Sequence, residues 1–327
     1  MKKYLLIPLL LLLCVMSVTA SSYSKLLVNV PLSDGRSAEG YLLVPDSAVS
    51  CPAVLLLHDH GAWFSIGKEK VVSPLPQSRL TPQQNDSLFA EARWFAQRCY
   101  NGAFVGDTLA ANGYVVLCID ALYWGTRCAE KVAFEADIEE KNALNKALKA
   151  FQPSFYSACV RDLGRAWFEQ VLLDDKASVS YLLSLPFVDK NRVGCFGFSY
   201  GAYRAWQLAA EDERVAVCVA ANWMTTKKSN GVLRTPSDYA MFRPMQPYRT
   251  DYPDIAALIA PRPFLLIYGT HDHLFQTEVV EQCADKIAVA YKKSGSETMF
   301  RAAAFDDDHL FGTLQRMELL RFLSQFL

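Results

Sequence analysis

Short apolar runs alternate along this chain with longer stretches of helical periodicity. Eight runs rich in Val, Ile and Leu predict strands, at Leu26–Val30, Tyr41–Val44, Ala53–Leu57, Val115–Ile119, Val193–Phe198, Val215–Ala220, Phe264–Tyr268 and Met299–Ala303. The segment Ser33-Asp34-Gly35-Arg36 between the first two favours a turn, so these two strands are expected to form a hairpin. The later runs are almost continuously apolar, which is typical of strands that are covered on both faces.

Helical stretches lie between the strands, at Ser87–Cys99, Phe104–Ala111, Lys131–Phe151, Tyr156–Leu185, Ala202–Ala210, Thr277–Lys293 and Thr313–Phe326. This alternation indicates an α/β fold with an eight-stranded, mostly parallel sheet and helices on both faces. No Pro-, Gly- or Ser-rich linker divides the chain, so residues 21–327 are expected to form a single domain. Two insertions decorate it, at about 63–101 and 127–175. The second insertion is largely helical. It either only packs against the rest of the domain or also shapes a pocket.

The first twenty residues are typical of a secretory signal peptide. Lys2 and Lys3 precede an apolar run from Leu5 to Val18, and the segment Val18-Thr19-Ala20 offers small residues for cleavage. The alternative is an N-terminal membrane anchor, which would need about 20 apolar residues to span a bilayer. We therefore expect an exported protein, periplasmic or secreted, with no stable membrane insertion after cleavage of the signal.

Composition and charge exclude several classes of protein. The chain has 327 residues, 51% of them hydrophobic and 20% charged, and its formal net charge is −1. A disordered chain would combine low hydrophobicity with high net charge, and a nucleic-acid-binding protein would carry a basic surplus, so both classes are excluded.

Eight of the nine cysteines follow the signal segment, and export would allow some of them to be oxidised. Their spacing fixes neither a disulfide pairing nor an oligomeric state.

The clearest catalytic motif is Gly197-Phe198-Ser199-Tyr200-Gly201, which lies between a predicted strand and a predicted helix. A strand, a tight turn and a helix in this order form a nucleophile elbow, which exposes the serine hydroxyl at the helix N-terminus. The turn is crowded, and this is why glycine is needed around the serine. The motif predicts Ser199 as a nucleophile. The alternative is a structural turn with a solvent-facing serine.

A serine hydroxyl needs a neighbouring base, and with such an elbow the order along the chain is serine, acid, histidine. His309 lies well downstream of Ser199, after the last predicted strand, and Asp272 follows the strand before it. We predict that Asp272 orients His309 and stabilises its charged form. Asp306 to Asp308 are competing acids, but they lie too close to His309 in sequence to approach it easily. That acidic run is expected to be a solvated loop or a weak cation site. The alternative interpretation of His309 is a histidine in a surface loop without a catalytic role.

An oxyanion hole requires two backbone amides that point at the developing negative charge. The residue after the nucleophile, Tyr200, supplies one of them, and the loop after the third predicted strand supplies the other. Within that loop the sequence leaves His60, Gly61 and Ala62 as candidates. His60 and the nearby His58 are expected to shape the loop through hydrogen bonds rather than to react.

Four residues near the predicted strand ends are candidates for the substrate pocket: Trp63, Trp124, Arg127 and Trp223. Aromatic walls suit sugar faces and acyl chains alike, and an arginine suits an anionic substrate. The competing interpretation is structural, with the aromatic residues in the core and the arginine in an ion pair.

The chain resembles an α/β-hydrolase of the dienelactone hydrolase and acetyl xylan esterase type, over most of its length beyond about residue 40. The resemblance rests on the elbow, on Asp308-His309 and on the segments 56–62, 66–70, 188–194 and 269–272. It implies Ser199 as nucleophile, Asp272 as acid and His309 as base, with no metal or organic cofactor. Dienelactone hydrolases proper use a cysteine nucleophile, so the serine favours ordinary ester substrates. The long insertion at 63–101 also distinguishes this chain from the smallest members of the family.

The sequence therefore predicts an exported serine hydrolase that cleaves a small-molecule or glycan ester, and export together with this resemblance suggests an acetyl group on a carbohydrate. One alternative is a peptidase or amidase on the same scaffold. Another is a metallohydrolase that uses the paired motifs His58-Asp59-His60 and His271-Asp272-His273 as ligands. The last alternative is a binding protein that has kept the fold without catalysis.

Overall fold

A mixed sheet of eight strands forms the centre of this computed structural model, which describes residues 22–128, 136–229 and 251–327. Its strands are β1 (Tyr23–Pro31), β2 (Ser37–Pro45), β3 (Cys51–Leu57), β4 (Val115–Ile119), β5 (Val188–Phe198), β6 (Val217–Ala221), β7 (Phe264–Gly269) and β8 (Phe300–Phe305). Their order across the sheet is β1-β2-β4-β3-β5-β6-β7-β8. The hairpin of β1 and β2 and the β2–β4 pair are antiparallel, and every other pair is parallel. The predicted eight-stranded, mostly parallel sheet is confirmed.

Helices cover both faces of the sheet. They are α1 (Pro82–Tyr100), α2 (Val105–Ala111), α3 (Ile138–Leu163), α4 (Trp167–Ser184), α5 (Tyr200–Glu211), α6 (Tyr252–Ala256), α7 (Thr277–Lys293) and α8 (Thr313–Phe326). Short 3₁₀ turns occur at Lys68–Lys70, Gly125–Arg127, Ala257–Ile259 and Glu297–Met299. The predicted signal segment, Met1–Ala20, lies outside the described residues, as do the first residues of the helix predicted at Lys131–Phe151.

Alternate residues of β3 point to opposite faces of the sheet and pack into two separate apolar cores. Leu55 and Leu57 belong to the core that includes residues of α4, α5 and α7. Val54 and Leu56 belong to the core that includes residues of α1, α2 and α8. Because both faces are buried, every position from Ala53 to Leu57 is apolar, and no polar face interrupts the run.

The predicted break between two helices near residue 152 is wrong. Helix α3 continues through Pro153 and ends at Gly164, which adopts a left-handed conformation with φ of 66°. A proline inside a helix removes one backbone hydrogen bond, but Phe155 and Tyr156 are buried in the core just beyond it and hold the helix in place. Glycine carries no penalty at positive φ, so Gly164 is where the helix stops and α4 begins only at Trp167.

The eight cysteines of the described residues are all free thiols. Cys118, Cys195 and Cys218 lie in central strands, where they are buried and pack as small apolar side chains. Within the described ranges, no helix combines the length and the apolar character needed to cross a membrane.

Candidate active site

The loop between β5 and α5 is a nucleophile elbow. Ser199 adopts a φ of 54° and a ψ of −123°, a strained conformation for a residue with a side chain. A Cβ atom on Gly197 would lie 2.0 Å from the carbonyl oxygen of Gly201, and one on Gly201 would lie 2.0 Å from that of Leu57. Neither backbone neighbour can move aside, so both glycines of the motif are sterically required.

Three side chains from three loops meet at the carboxyl edge of the sheet. Ser199 Oγ lies 2.8 Å from His309 Nε2, and His309 Nδ1 lies 2.7 Å from Asp272 Oδ2. His309 follows β8 and Asp272 follows β7, as the order of strands along the chain requires. The Asp272 side chain is 1% exposed and that of His309 is 12% exposed, so the line of hydrogen bonds runs from the interior to the surface.

The carboxylate of Asp272 is held by four hydrogen-bond donors. Oδ1 accepts from the backbone amides of Leu274, at 2.8 Å, and Phe275, at 3.3 Å. Oδ2 accepts from His309 and from Nδ2 of Asn222, at 3.3 Å. This arrangement fixes the plane of the carboxylate and thereby the orientation of the imidazole ring. Sequence reasoning did not single out Asn222, although it directly follows β6 at a position with φ of 55° that suits asparagine.

The competing acids of the 306–308 run do not contact the His309 ring. Asp306 instead lies 2.6 Å from Nε2 of His271, and both side chains face solvent. The Asp308 side chain is also exposed, while its backbone carbonyl accepts a hydrogen bond from Asn222. This arrangement matches the expected solvated loop and leaves Asp272 as the carboxylate paired with His309.

The segment of residues 58–65, called the oxyanion loop below, follows β3 and approaches the elbow. Gly61 and Ala62 both have positive φ, at 56° and 51°. The amide of Ala62 donates to Nδ1 of His60 at 2.9 Å, so it is already engaged. Among the described residues, the amides of His60 and Gly61 have no hydrogen-bond acceptor. The geometry thus narrows the loop's candidates for an oxyanion donor from three amides to two, and Tyr200 lies at the N-terminus of α5 as predicted.

Two buried lysines lie beside the oxyanion loop in sequence, and one of them, Lys70, donates hydrogen bonds to its backbone. Lys68 Nζ lies 2.9 Å from both Asp120 and Glu69, and Lys70 Nζ donates to the carbonyls of Asp59, at 2.9 Å, and His60, at 2.8 Å. Burial disfavours the charged form of Lys68, but Asp120 and Glu69 outweigh it and raise its pKa well above the usual value. For Lys70, burial dominates and lowers the pKa to about 8. Sequence reasoning gave neither lysine a role.

Both histidines of the loop act as structural hydrogen-bonding groups, as expected. His58 Nδ1 donates to the Asp59 carbonyl at 2.9 Å, and its Nε2 accepts from the Ala121 amide at 3.0 Å. His60 uses both ring nitrogens as well, one with Ala62 and one with Gln152. A metal ligand needs a free imidazole lone pair, and neither ring offers one. Within the described ranges, no three His, Cys, Asp or Glu side chains converge as a metal site.

The four candidate pocket residues are arranged as the competing structural interpretation predicts, with the tryptophans in the core and the arginine in an ion pair. Trp63, Trp124 and Trp223 are almost fully buried. Trp63 Nε1 donates to Glu91 at 2.6 Å, and Trp124 stacks on a neighbouring phenylalanine ring. Arg127 forms an ion pair of 2.7 Å with Asp174. A contribution of these residues to substrate binding stays a prediction.

The buried histidines predict a loss of stability in mild acid. Burial, Lys70 and Lys149 lower the pKa of His60 to about 3, and burial lowers that of His58 well below its usual value. In the unfolded chain both rings regain a pKa near 6.5, so below that pH the unfolded state binds more protons than the folded state. The free energy of unfolding should then fall by about 1.4 kcal/mol per pH unit for each histidine.

Urea unfolding at pH 6.5, 5.5 and 4.5 measures this loss, with His60→Asn as the comparison. The variant lacks one of the two proton-binding groups, so its stability should fall less steeply over the same range. Equal slopes for the two proteins would contradict the prediction.

The fold and the site together define an α/β-hydrolase. The sequence model of the dienelactone hydrolase family matches residues 94–297, and the chain belongs to this family. A lactone is an internal carboxylic ester, so membership places the chain among the carboxylic ester hydrolases. The residue at the tip of the elbow is a serine, Ser199, where the resemblance implied a cysteine in dienelactone hydrolases proper.

Other known proteins are similar over most of the chain. A Bacillus subtilis (strain 168) protein, provisionally named as the hydrolase YtaP, is 25% identical over 301 residues, which cover 90% of this chain and 86% of YtaP. The solved structure of a glucuronoyl esterase from Solibacter usitatus has a TM-score of 0.57 at 13% identity, covering 93% of this chain and 86% of its own. A provisionally named acetyl xylan esterase from Bacteroides fragilis NCTC 9343 gives 0.57 at 15% identity, with 88% and 71% covered. At such identities the structures establish the shared fold.

Proposed function

We propose that this chain is an exported serine esterase that acts on carbohydrate esters, with acetyl esters as the preferred class. One observation carries the catalytic part of the proposal. Ser199 Oγ, His309 and Asp272 form a continuous line of hydrogen bonds of 2.8 and 2.7 Å, at the end of a nucleophile elbow. In this arrangement Asp272 keeps the proton on Nδ1, so Nε2 of His309 is free to accept the proton of Ser199.

The reaction proceeds in two halves. His309 takes the hydroxyl proton as Ser199 attacks the ester carbonyl, and the resulting oxyanion accepts hydrogen bonds from Tyr200 N–H and from the amide of His60 or Gly61. His309 then returns the proton to the leaving alcohol, which departs from an acyl-enzyme. A water molecule, activated by the same imidazole, attacks the acyl-enzyme and releases the acid.

The substrate part of the proposal draws on two kinds of support. Solved structures with the same fold are named as a glucuronoyl esterase and an acetyl xylan esterase, both esterases of carbohydrate material. The nucleophile is a serine, which suits ordinary esters. A peptidase or amidase would use the same elbow, so the choice of ester over amide has to be measured.

Labelling of Ser199 with a fluorophosphonate tests the catalytic proposal directly. We expect a single adduct on the peptide that contains Ser199, and hydrolysis of p-nitrophenyl acetate faster than that of the butyrate. The anilide that matches p-nitrophenyl acetate then separates amidase from esterase activity. Acetylated xylan tests the esterase on a carbohydrate. Activity without labelling of Ser199, or activity lost on chelation and restored by a metal ion, would overturn the serine mechanism.

Export is supported by the charged start, apolar run and small residues at positions 1–20. With its native N-terminus, the protein is expected outside the cytoplasm with a mature chain that begins near Ser21. N-terminal sequencing of the recovered protein measures this, and an intact Met1 would contradict it.

A further inference from the structure

Lys70 lies in the 3₁₀ turn that follows the oxyanion loop, and its side chain reaches back to the backbone of that loop. The side chain is fully buried. Its Nζ donates to the carbonyl oxygens of Asp59, at 2.9 Å, and His60, at 2.8 Å. One ammonium group therefore holds two consecutive carbonyls of the loop.

These two carbonyls belong to the peptides that carry the candidate oxyanion donors. The Asp59 carbonyl shares a peptide with the N–H of His60, and the His60 carbonyl shares one with the N–H of Gly61. Both peptides are trans, and in a trans peptide the C=O and the N–H point in opposite directions. The hydrogen bonds from Lys70 thus turn both amides away from the lysine. The same loop lies against the elbow, where the rings of His60 and Tyr200 have centroids 6.4 Å apart.

Charge distinguishes Lys70 from the other donors to these carbonyls. His58 Nδ1 donates to the first carbonyl at 2.9 Å, and the Trp63 amide and the Trp124 indole donate to the second at 3.2 and 3.4 Å. All three are uncharged. A hydrogen bond from an ammonium group is stronger, and it polarises the peptide, so the N–H at the other end becomes a better donor. The neutral donors keep both carbonyls paired when the lysine is replaced.

We propose that Lys70 is a positioning residue for the oxyanion hole, because its ammonium group aims and polarises the amides of His60 and Gly61. This inference rests on the proposed function, in which one of these two amides donates to the oxyanion. Either amide belongs to a peptide that Lys70 holds. Because Lys70 acts through the backbone on charge that develops only in the transition state, its contribution is expected in kcat rather than in KM.

The surroundings of Lys70 accommodate its positive charge. Nζ lies 4.0 Å from Asp59 Oδ2 and over the rings of Phe95 and Trp124, at 5.0 and 5.7 Å from their centroids. Titratable groups act on it from the loop, from α1 and from the end of β4, and they are Asp59, His58, His60, Glu91, Cys99 and Asp120. Burial outweighs the carboxylates and lowers the pKa of Lys70 to about 8, so the lysine is charged at neutral pH.

The first test is Lys70→Met, which keeps the length of the side chain without its donor. We expect kcat for p-nitrophenyl acetate to fall about 10- to 100-fold, less than the loss of about 10²- to 10³-fold that is typical when an oxyanion donor is removed outright. KM should change by less than about threefold. Trifluoroacetone forms a tetrahedral adduct with a nucleophilic serine, and its oxygen mimics the oxyanion. Its inhibition constant should therefore rise by the same factor as kcat falls.

Lys25→Met is the matched control. Lys25 is also largely buried, with 10% of its side chain exposed, and it donates to the Ser73 carbonyl at 2.6 Å from β1, the edge strand of the sheet. Its replacement should lower the thermal midpoint, while kcat and the inhibition constant of trifluoroacetone stay at the parental values. The proposal would be overturned if Lys70→Met kept kcat within about twofold of the parent, or if kcat fell while inhibition by trifluoroacetone was unchanged.

A measurement on the unmodified protein decides the question even if Lys70→Met does not fold. In protein with ¹⁵N-labelled lysine and ¹³C-labelled histidine carbonyls, coupling across the hydrogen bond to His60 identifies the Nζ signal of Lys70. In the trifluoroacetone adduct, the negative oxygen should raise the pKa of Lys70 above its value in the free enzyme. An unchanged pKa would contradict the proposal. A failure of the proposed function appears in the parent, as absent fluorophosphonate labelling of Ser199, whereas a failure of this inference leaves that labelling intact.

Discussion

Replacing Ser199 with alanine is expected to lower kcat for p-nitrophenyl acetate by about 10⁵- to 10⁶-fold, the loss typical when a nucleophilic serine is removed. The variant retains the oxyanion amides and the His309–Asp272 pair, so only slow attack by water remains. Its fold should persist, because Ser199 N donates to the Ala221 carbonyl at 2.8 Å through the backbone alone. Alanine must adopt the φ of 54° that serine adopts here, which places a similar strain on the elbow.

Initial rates and thermal midpoints of the parent and the variant, measured side by side, test this expectation. Ser324→Ala is the matched control, because Ser324 lies on the exposed side of α8 and its hydroxyl donates to the Arg321 carbonyl of the same helix. It should keep the parental rate. A Ser199→Ala protein that retained more than about a hundredth of the parental kcat would show that another group attacks the ester.

The meeting of Ser199, Asp272 and His309 could be predicted because the topology leaves little choice. In a parallel sheet the carboxyl ends of the strands meet at one edge, so residues that directly follow β5, β7 and β8 are brought together despite wide separation in sequence. Ser199, Asp272 and His309 occupy these positions. The strand positions themselves follow from apolar runs, since strands buried on both faces tolerate few polar residues.

Other parts of the site depend on contacts that no local pattern encodes. Asn222 reaches Asp272 across fifty positions of sequence, and Gln152 reaches His60 across ninety-two. A polar residue in a helix is ordinarily a solvent-facing one, and only the packed fold shows that Gln152 is buried. Lys68 and Lys70 look like a solvated charge cluster in the sequence, yet both are fully buried.

Helix boundaries were less predictable than strand positions. One helix was predicted to end at Phe151, whereas core packing of the turn after Pro153 carries α3 onward to Gly164. Helix α6 has five residues and was missed, since so short a segment shows no periodicity and depends on the Asp251 cap.

Asp272→Asn is expected to lower kcat by about 10⁴-fold, because it replaces the hydrogen-bond acceptor that faces His309 with a donor. The fold should stay intact, because asparagine has almost the same shape as aspartate. The orientation of the new amide is dictated by the backbone. Its oxygen must accept from the amides of Leu274 and Phe275, which contact Oδ1 in the parent. Its nitrogen then faces His309 Nδ1 and the Nδ2 donor of Asn222.

A donor at that position favours the His309 tautomer with the proton on Nε2, and such a ring cannot accept the proton of Ser199. Fluorophosphonate labelling of Ser199 should therefore slow in parallel with kcat, since both reactions need the same base. Asp306→Asn is the matched control: that carboxylate is exposed, pairs with His271 and belongs to the acidic run nearest His309 in sequence. It should change kcat by less than about twofold. If Asp272→Asn kept a kcat within tenfold of the parent, or if Asp306→Asn caused the larger loss, Asp272 would not be the residue that sets the tautomer of His309.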